Sequence, residues 1–212
     1  MSTPGVHSIG IIGSGIMGAG IAEVLAGAGY TTIVRSRSSD SANDVISRVA
    51  ASLDRRVSKG KLEVSVRDAI LDRLSATTDL ADLADCDIVI ESVVEDMPTK
   101  KILFAELDAL MKPGTILATN TSTLPVTELA LSTTRPEKVC GIHFFNPATT
   151  MSLVEVVRPD TAGEETIAKA RELIASCGKD AVLVRDDAGF IVNALLFPYL
   201  NNAIKMFERG TA

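Results

Sequence analysis

Two histidines, His7 and His143, are the only side chains in the sequence whose ordinary titration lies near neutral pH, so the search for a proton carrier is short. His7 falls in the first apolar run and reads as structural. His143 follows the β-type run Val139–Ile142 and leads into Phe144-Phe145-Asn146-Pro147. Open α/β sheets bind their ligands at that C-terminal end of the strands. Further on, Glu155 stands alone within Leu153-Val154-Glu155-Val156-Val157. A carboxylate buried among those side chains needs a partner. Pairing with His143 would satisfy it, fix the imidazole tautomer and raise its basicity, as removal of a hydroxyl proton by a general base requires.

A second constellation handles phosphate. Gly13-Ser14-Gly15-Ile16-Met17-Gly18 follows a strand-like run and opens a helical pattern, the context that gives a GxGxxG spacing its meaning. Glycines at Gly13, Gly15 and Gly18 permit a tight turn and close backbone approach, and the free N–H groups of the helix start face a pyrophosphate. The next run ends in Val34-Arg35-Ser36-Arg37-Ser38, and the first acid is Asp40. A carboxylate at this point would bind the ribose 2′-hydroxyl of NAD, whereas a hydroxyl flanked by two guanidiniums suits a 2′-phosphate. Each charge-assisted bond adds about 1.5–3 kcal/mol, or roughly ten- to a hundredfold in affinity. NADP(H) is the expected cofactor and NAD(H) the alternative.

These groups need a scaffold that brings distant strand ends together. Apolar runs at Val6–Ile12, Thr31–Val34, Ile88–Ile90, Thr115–Ala118, Val139–Ile142, Leu153–Val157 and Ala181–Val184 alternate with helical stretches at Gly15–Ala28, Ser41–Lys59, Val64–Leu74, Pro98–Met111 and Glu164–Ser176. That rhythm predicts an α/β, Rossmann-type, doubly wound and mostly parallel sheet. Phe190–Glu208 forms a last helical pattern, apolar on more than one side, that needs a partner. With 21 Lys+Arg against 27 Asp+Glu, a net charge of −6, the chain lacks the positive field of a nucleic-acid binder. Its three scattered cysteines fit no zinc spacing and suggest a reducing, cytoplasmic setting without a metal. No apolar stretch reaches the length of a membrane span, and the N-terminus lacks a secretory signal pattern.

Together with Glu91-Ser92-Val93-Val94-Glu95-Asp96, Thr119-Asn120-Thr121-Ser122 and Gly189-Phe190-Ile191-Val192-Asn193, these motifs resemble the 3-hydroxyacyl-CoA dehydrogenase family from the first strand to the last residue. The resemblance implies an oxidoreductase that interconverts short 3-hydroxyacyl-CoA and 3-oxoacyl-CoA thioesters. It implies His143 as acid/base, Glu155 as its orienting carboxylate, and Ser122 and Asn193 around the reacting oxygen. Glu95, Lys100 and Asn120 fall where the family approaches the nicotinamide half of the cofactor. Arg48, Ser52, Arg55 and Lys59 line one face of a helix, and the family places this helical hairpin near the CoA nucleotide, so Ser52, Arg55 and Lys59 are expected at the substrate. Residues 1–188 would form the dinucleotide-binding domain. Residues 189–212 would start an all-α C-terminal domain, which in the family closes the cleft and forms a homodimer.

Four features depart from the family pattern: Ser36-Arg37 in place of an Asp neighbourhood, Ala148-Thr149-Thr150 after Pro147, Ala194 after Asn193, and an end at Ala212 that implies a truncated helical domain. Three rival readings follow. A β-hydroxyacid dehydrogenase shares the glycine motif but not His143-Phe144-Phe145-Asn146-Pro147. A dehydrogenase acting on a hydroxyacyl group held by an acyl carrier protein keeps the chemistry and changes the carrier. A non-catalytic NADP-binding protein would keep the fold and lose the acid/base pair.

Overall fold

The structure, a computed structural model, describes Thr3 and residues 5–211; the expected limits at Met1 and Ala212 lie outside the described residues. The strands are Ser8–Ile12 (β1), Thr31–Arg35 (β2), Leu74–Thr77 (β3), Ile88–Glu91 (β4), Ile116–Thr119 (β5), Val139–Phe144 (β6), Leu153–Arg158 (β7) and Asp180–Arg185 (β8). They form one sheet in the order β3-β2-β1-β4-β5-β6-β7-β8. From β3 to β6 every pairing is parallel; β7 runs antiparallel to β6, and β8 parallel to β7. The chain reverses its winding direction between β1 and β4, the switch point where a doubly wound sheet opens a crevice.

Side chains alternate across the sheet with the period of two that strands impose. Ile9, Ile11, Ile88 and Ile90 enter one buried cluster, while Ile12, Val89 and Leu117 enter the other. Both faces of the central strands are therefore dry and covered by helices, whereas the expected buried run Ala181–Val184 forms the edge strand β8, where Val182 and Leu183 are exposed. The helices are Ile16–Gly27 (α1), Ser39–Ser58 (α2), Val64–Leu71 (α3), Met97–Leu110 (α4), Val126–Ala130 (α5), Glu164–Ser176 (α6) and Val192–Glu208 (α7). Ser38 caps α2 by accepting from the Ser41 N–H, and Asp96 caps α4 by accepting from Thr99.

The fold is the expected α/β Rossmann-type sheet, with local corrections. The helix expected over Val64–Leu74 stops at Leu71, because Leu74 turns into β3 and pairs with Thr32 of β2. Leu74-Ser75-Ala76-Thr77 has little β propensity of its own, and the ladder to β2 decides. The sequence reading also passed over α5. Its first N–H groups, on Val126 and Thr127, donate to Asp186 just past β8, a cap supplied from sixty residues away. The last helix begins at Val192 rather than Phe190, since Phe190 has a φ of +51°. Among its described residues none is buried.

Candidate active site

β6 extends to Phe144, so His143 lies inside the strand and not after it. In the antiparallel ladder it stands directly opposite Glu155 of β7. Residues opposite one another point to the same face, so register alone brings the two side chains together. His143 Nδ1 lies 2.8 Å from Glu155 Oε2, and both residues are buried, at 4% and 1% exposure. With the carboxylate as acceptor, Nδ1 carries the proton, and Nε2 is left to accept from the Ser122 hydroxyl at 3.1 Å. Phe145 and Phe190 flank the imidazole, with ring centroids at 4.5 and 5.6 Å.

Ser122 sits on a turn after β5 that a neighbouring carboxylate holds. Glu95 accepts from the Thr121 hydroxyl, from the Ser122 N–H at 2.9 Å and from the Thr123 N–H at 3.3 Å. Burial pushes its carboxyl up, but those bonds and the Lys100 ammonium outweigh burial and hold it below the usual carboxylate range. Asn193 Nδ2 donates to the Ser122 carbonyl at 3.2 Å, which ties α7 to the same turn. Asn120 Oδ1 accepts from the Phe144 N–H at 2.8 Å, next to His143. The strand ends thus bring Glu95, Asn120, Ser122, His143, Glu155 and Asn193 together. Lys100 differs from the rest: it is 1% exposed, and its ammonium is spent on Glu91 at 2.7 and 2.8 Å and on Glu95 at 3.3 Å.

The Gly13–Gly18 segment makes a tight turn with close backbone approach. Gly13 has a φ of +118°, and a Cβ there would meet the Ser92 carbonyl at 2.3 Å. A Cβ on Gly18 would lie 1.9 Å from the Gly13 carbonyl, so α1 packs this close only with glycine. Gly15 faces open space, Ile16 is exposed at the helix start, and Met17 packs against the core. Gly13, Gly15, Arg35, Ser36 and Arg37 line a cavity of about 620 Å³ whose other wall comes from Val94, Ile102 and the exposed acid Glu106. Arg35 Nε and Ser36 Oγ are buried there without a protein partner. Unmatched donors of this kind fit an anionic group, so the cavity suits a dinucleotide.

Arg48, Ser52 and Arg55 line a second cleft, about 330 Å³, against Asn146–Thr149. Arg48 is ion-paired with Asp44, and Lys59 lies beyond the cleft at the end of α2. Burial pushes the Cys86 and Cys177 thiols up to about 11 and Cys140 to about 12, so none supplies a thiolate at neutral pH. Among the described residues no cluster of three or more His, Cys, Asp or Glu could hold a metal, and no helix is long and apolar enough to cross a membrane.

Three contacts escaped the sequence reading. Glu91, at the end of the apolar run Ile88-Val89-Ile90, meets the criterion that singled out Glu155, a lone acid among apolar neighbours. Thr121 and Phe190 lie within motifs that carry the family resemblance, but nothing in their local sequence shows these contacts.

Comparison with known proteins places this geometry. Residues 8–187 match the model of the 3-hydroxyacyl-CoA dehydrogenase NAD-binding domain. The chain is 44% identical over 209 residues to a 3-hydroxybutyryl-CoA dehydrogenase of Mycobacterium tuberculosis, covering 98% of this chain and 73% of the relative. It is 42% identical over 204 residues to one from Clostridioides difficile, covering 96% and 73%. The crystal structure of M. tuberculosis FadB2 superposes with a TM-score of 0.95 at 44% identity, over 98% of this chain and 73% of that one. That of (S)-3-hydroxybutyryl-CoA dehydrogenase from Ralstonia eutropha gives 0.95 at 34%, with the same coverage. On these grounds the chain belongs to the 3-hydroxyacyl-CoA dehydrogenase family.

Proposed function

We propose that the protein interconverts a short 3-hydroxyacyl-CoA and its 3-oxoacyl-CoA, with NADP(H) as the preferred cofactor. The observation that carries this reading is the His143–Glu155 pair, buried at the ligand end of the sheet with Nε2 directed at Ser122. In oxidation, Nε2 accepts the proton of the substrate hydroxyl, and the carboxylate of Glu155 stabilises the imidazolium that results. In reduction, the imidazolium returns that proton to the ketone oxygen, so one residue serves both directions. Ser122 and Asn193 hold the reacting oxygen. The bound dinucleotide supplies the hydride acceptor or donor. Gly13, Gly15, Ile16, Met17 and Gly18 would hold its pyrophosphate, Arg35, Ser36 and Arg37 its 2′-phosphate, and Glu95 and Asn120 would border its nicotinamide end, with Lys100 acting from beneath. Ser52 and Arg55 suit the phosphates of the CoA carrier, and Lys59 would serve only an extended one.

We further infer that residues 1–188 form the catalytic sheet domain, and that 189–212 open a helical unit through which two copies pair. The family match ends at residue 187, and α7 has no buried residue of its own, which supports that division.

Steady-state reduction of acetoacetyl-CoA tests the proposal. NADPH is expected to outperform NADH, and His143→Ala to lower kcat by about 10²- to 10⁴-fold. Equal rates with both cofactors would remove the argument from Arg35 and Arg37. A faster reaction on an acyl-carrier-protein thioester would change the carrier, and cofactor binding without turnover would favour a non-catalytic role.

A further inference from the structure

Glu155 has two carboxylate oxygens, and its pairing with His143 uses one. The other, Oε1, accepts the N–H groups of Ile191 and Val192, each at 3.0 Å. Two consecutive amides cannot converge on one oxygen from a strand, where successive groups point opposite ways. The residues just before them produce the convergence: Gly189 has a φ of +79° and Phe190 a φ of +51°. A Cβ on Gly189 would lie 2.8 Å from the Ala194 nitrogen. Phe190 is the one non-glycine residue with positive φ among the described residues, a conformation rare for a bulky side chain. It is 6% exposed, and its ring lies against His143. Strain held at a buried residue that touches the proton carrier points to a purpose beyond packing.

We propose that Phe190 is a positioning residue that makes the start of α7 a third member of the acid/base assembly, a role that rests on His143 as the proton carrier. Its left-handed backbone aims two amides at Glu155 Oε1, which reserves Oε2 for Nδ1–H and keeps the imidazole in the single tautomer whose Nε2 is open to substrate. The positive end of the α7 dipole reinforces this from the side of the carboxylate away from the imidazole.

Nitrogen-15 spectra of the 212-residue chain test the proposal directly, because the two ring nitrogens report tautomer populations and the exposed His7 serves as an internal reference. The unmodified chain should show His143 in one tautomer. Phe190→Asn, which tolerates positive φ but lacks the ring, should keep it. Phe190→Val, which resists positive φ, should give a mixture while the His7 signals and the amide spectrum stay those of the folded chain. A folded Phe190→Val chain with the unmodified tautomer overturns the proposal, as does a mixture in Phe190→Asn. Should the valine variant fail to fold, amide exchange in the unmodified chain decides: Ile191 and Val192 are expected to exchange at least about tenfold slower than an unstructured segment, and unprotected exchange refutes the contact. None of these readouts needs turnover, so an active His143→Ala enzyme would sink the proton-carrier reading separately.

Discussion

Glu91 and Glu155 are both buried, both stand at apolar strand positions, and both hold a cationic or basic partner, yet the two partners are placed differently. Glu91, at 0% exposure, accepts two bonds from Lys100, one from the Thr119 hydroxyl at 2.7 Å and one from the Val93 N–H at 2.6 Å. Its partner's ammonium is turned inward and shared only with Glu95. Glu155 is satisfied as completely, by His143 and two backbone amides, but its partner has a second nitrogen, Nε2, that turns away from the carboxylate to the Ser122 hydroxyl. On the proposed reading, what separates the two carboxylates is that the partner of Glu155 keeps a second nitrogen through which a proton can pass, whereas the ammonium of Lys100 is wholly engaged.

The contrast predicts opposite responses to the same isosteric change. Glu91→Gln leaves a buried ammonium short of countercharge and is expected to cost about 3–5 kcal/mol of stability in a denaturant titration, whereas the paired change Glu91→Leu with Lys100→Met should recover most of it. Glu155→Gln places an amide against Nδ1, which disfavours the productive tautomer. Its expected effect is a drop in kcat of about 10²-fold, near 2.7 kcal/mol, with a smaller change in melting temperature. If Glu91→Gln proved the more damaging to kcat at unchanged stability, the distinction between the two acids would fail.

The smallest effect concerns Glu95, which belongs to both networks through Lys100 and the Ser122 turn. Its carboxyl is held below the ordinary range when folded, so its contribution to stability is complete above the unfolded carboxylate range and is lost as pH falls through the lower, folded value. Glu95→Gln should flatten the acid side of the stability profile, and an unchanged profile would show that the turn stands without it.

Much of this site was legible because local rules demanded it. Gly13 and Gly18 occupy positions where a Cβ would collide with backbone, and Glu155 is a charge in a run that otherwise buries itself. Ser122 and Asn193 were reached only by resemblance, since an isolated serine or asparagine carries no sign of what it will face. The short strand β3, the Asp186 cap of α5 and the burial of Lys100 arise from contacts between segments far apart in sequence, which no local window contains. Lys100 in particular is placed by resemblance near the nicotinamide half of the cofactor, and nothing local to it announces the buried Glu91 that engages its ammonium.

The strand order also acts as a ruler. Ser36 follows β2 and His143 lies in β6, four inter-strand steps away, a span of about 19 Å at the usual spacing. At such separations substitutions ordinarily combine independently. On the proposed reading, the edge after β2 can therefore drift or be redesigned for another coenzyme while the His143–Glu155 pair, assembled on the distant β6–β7 hairpin, stays as it is.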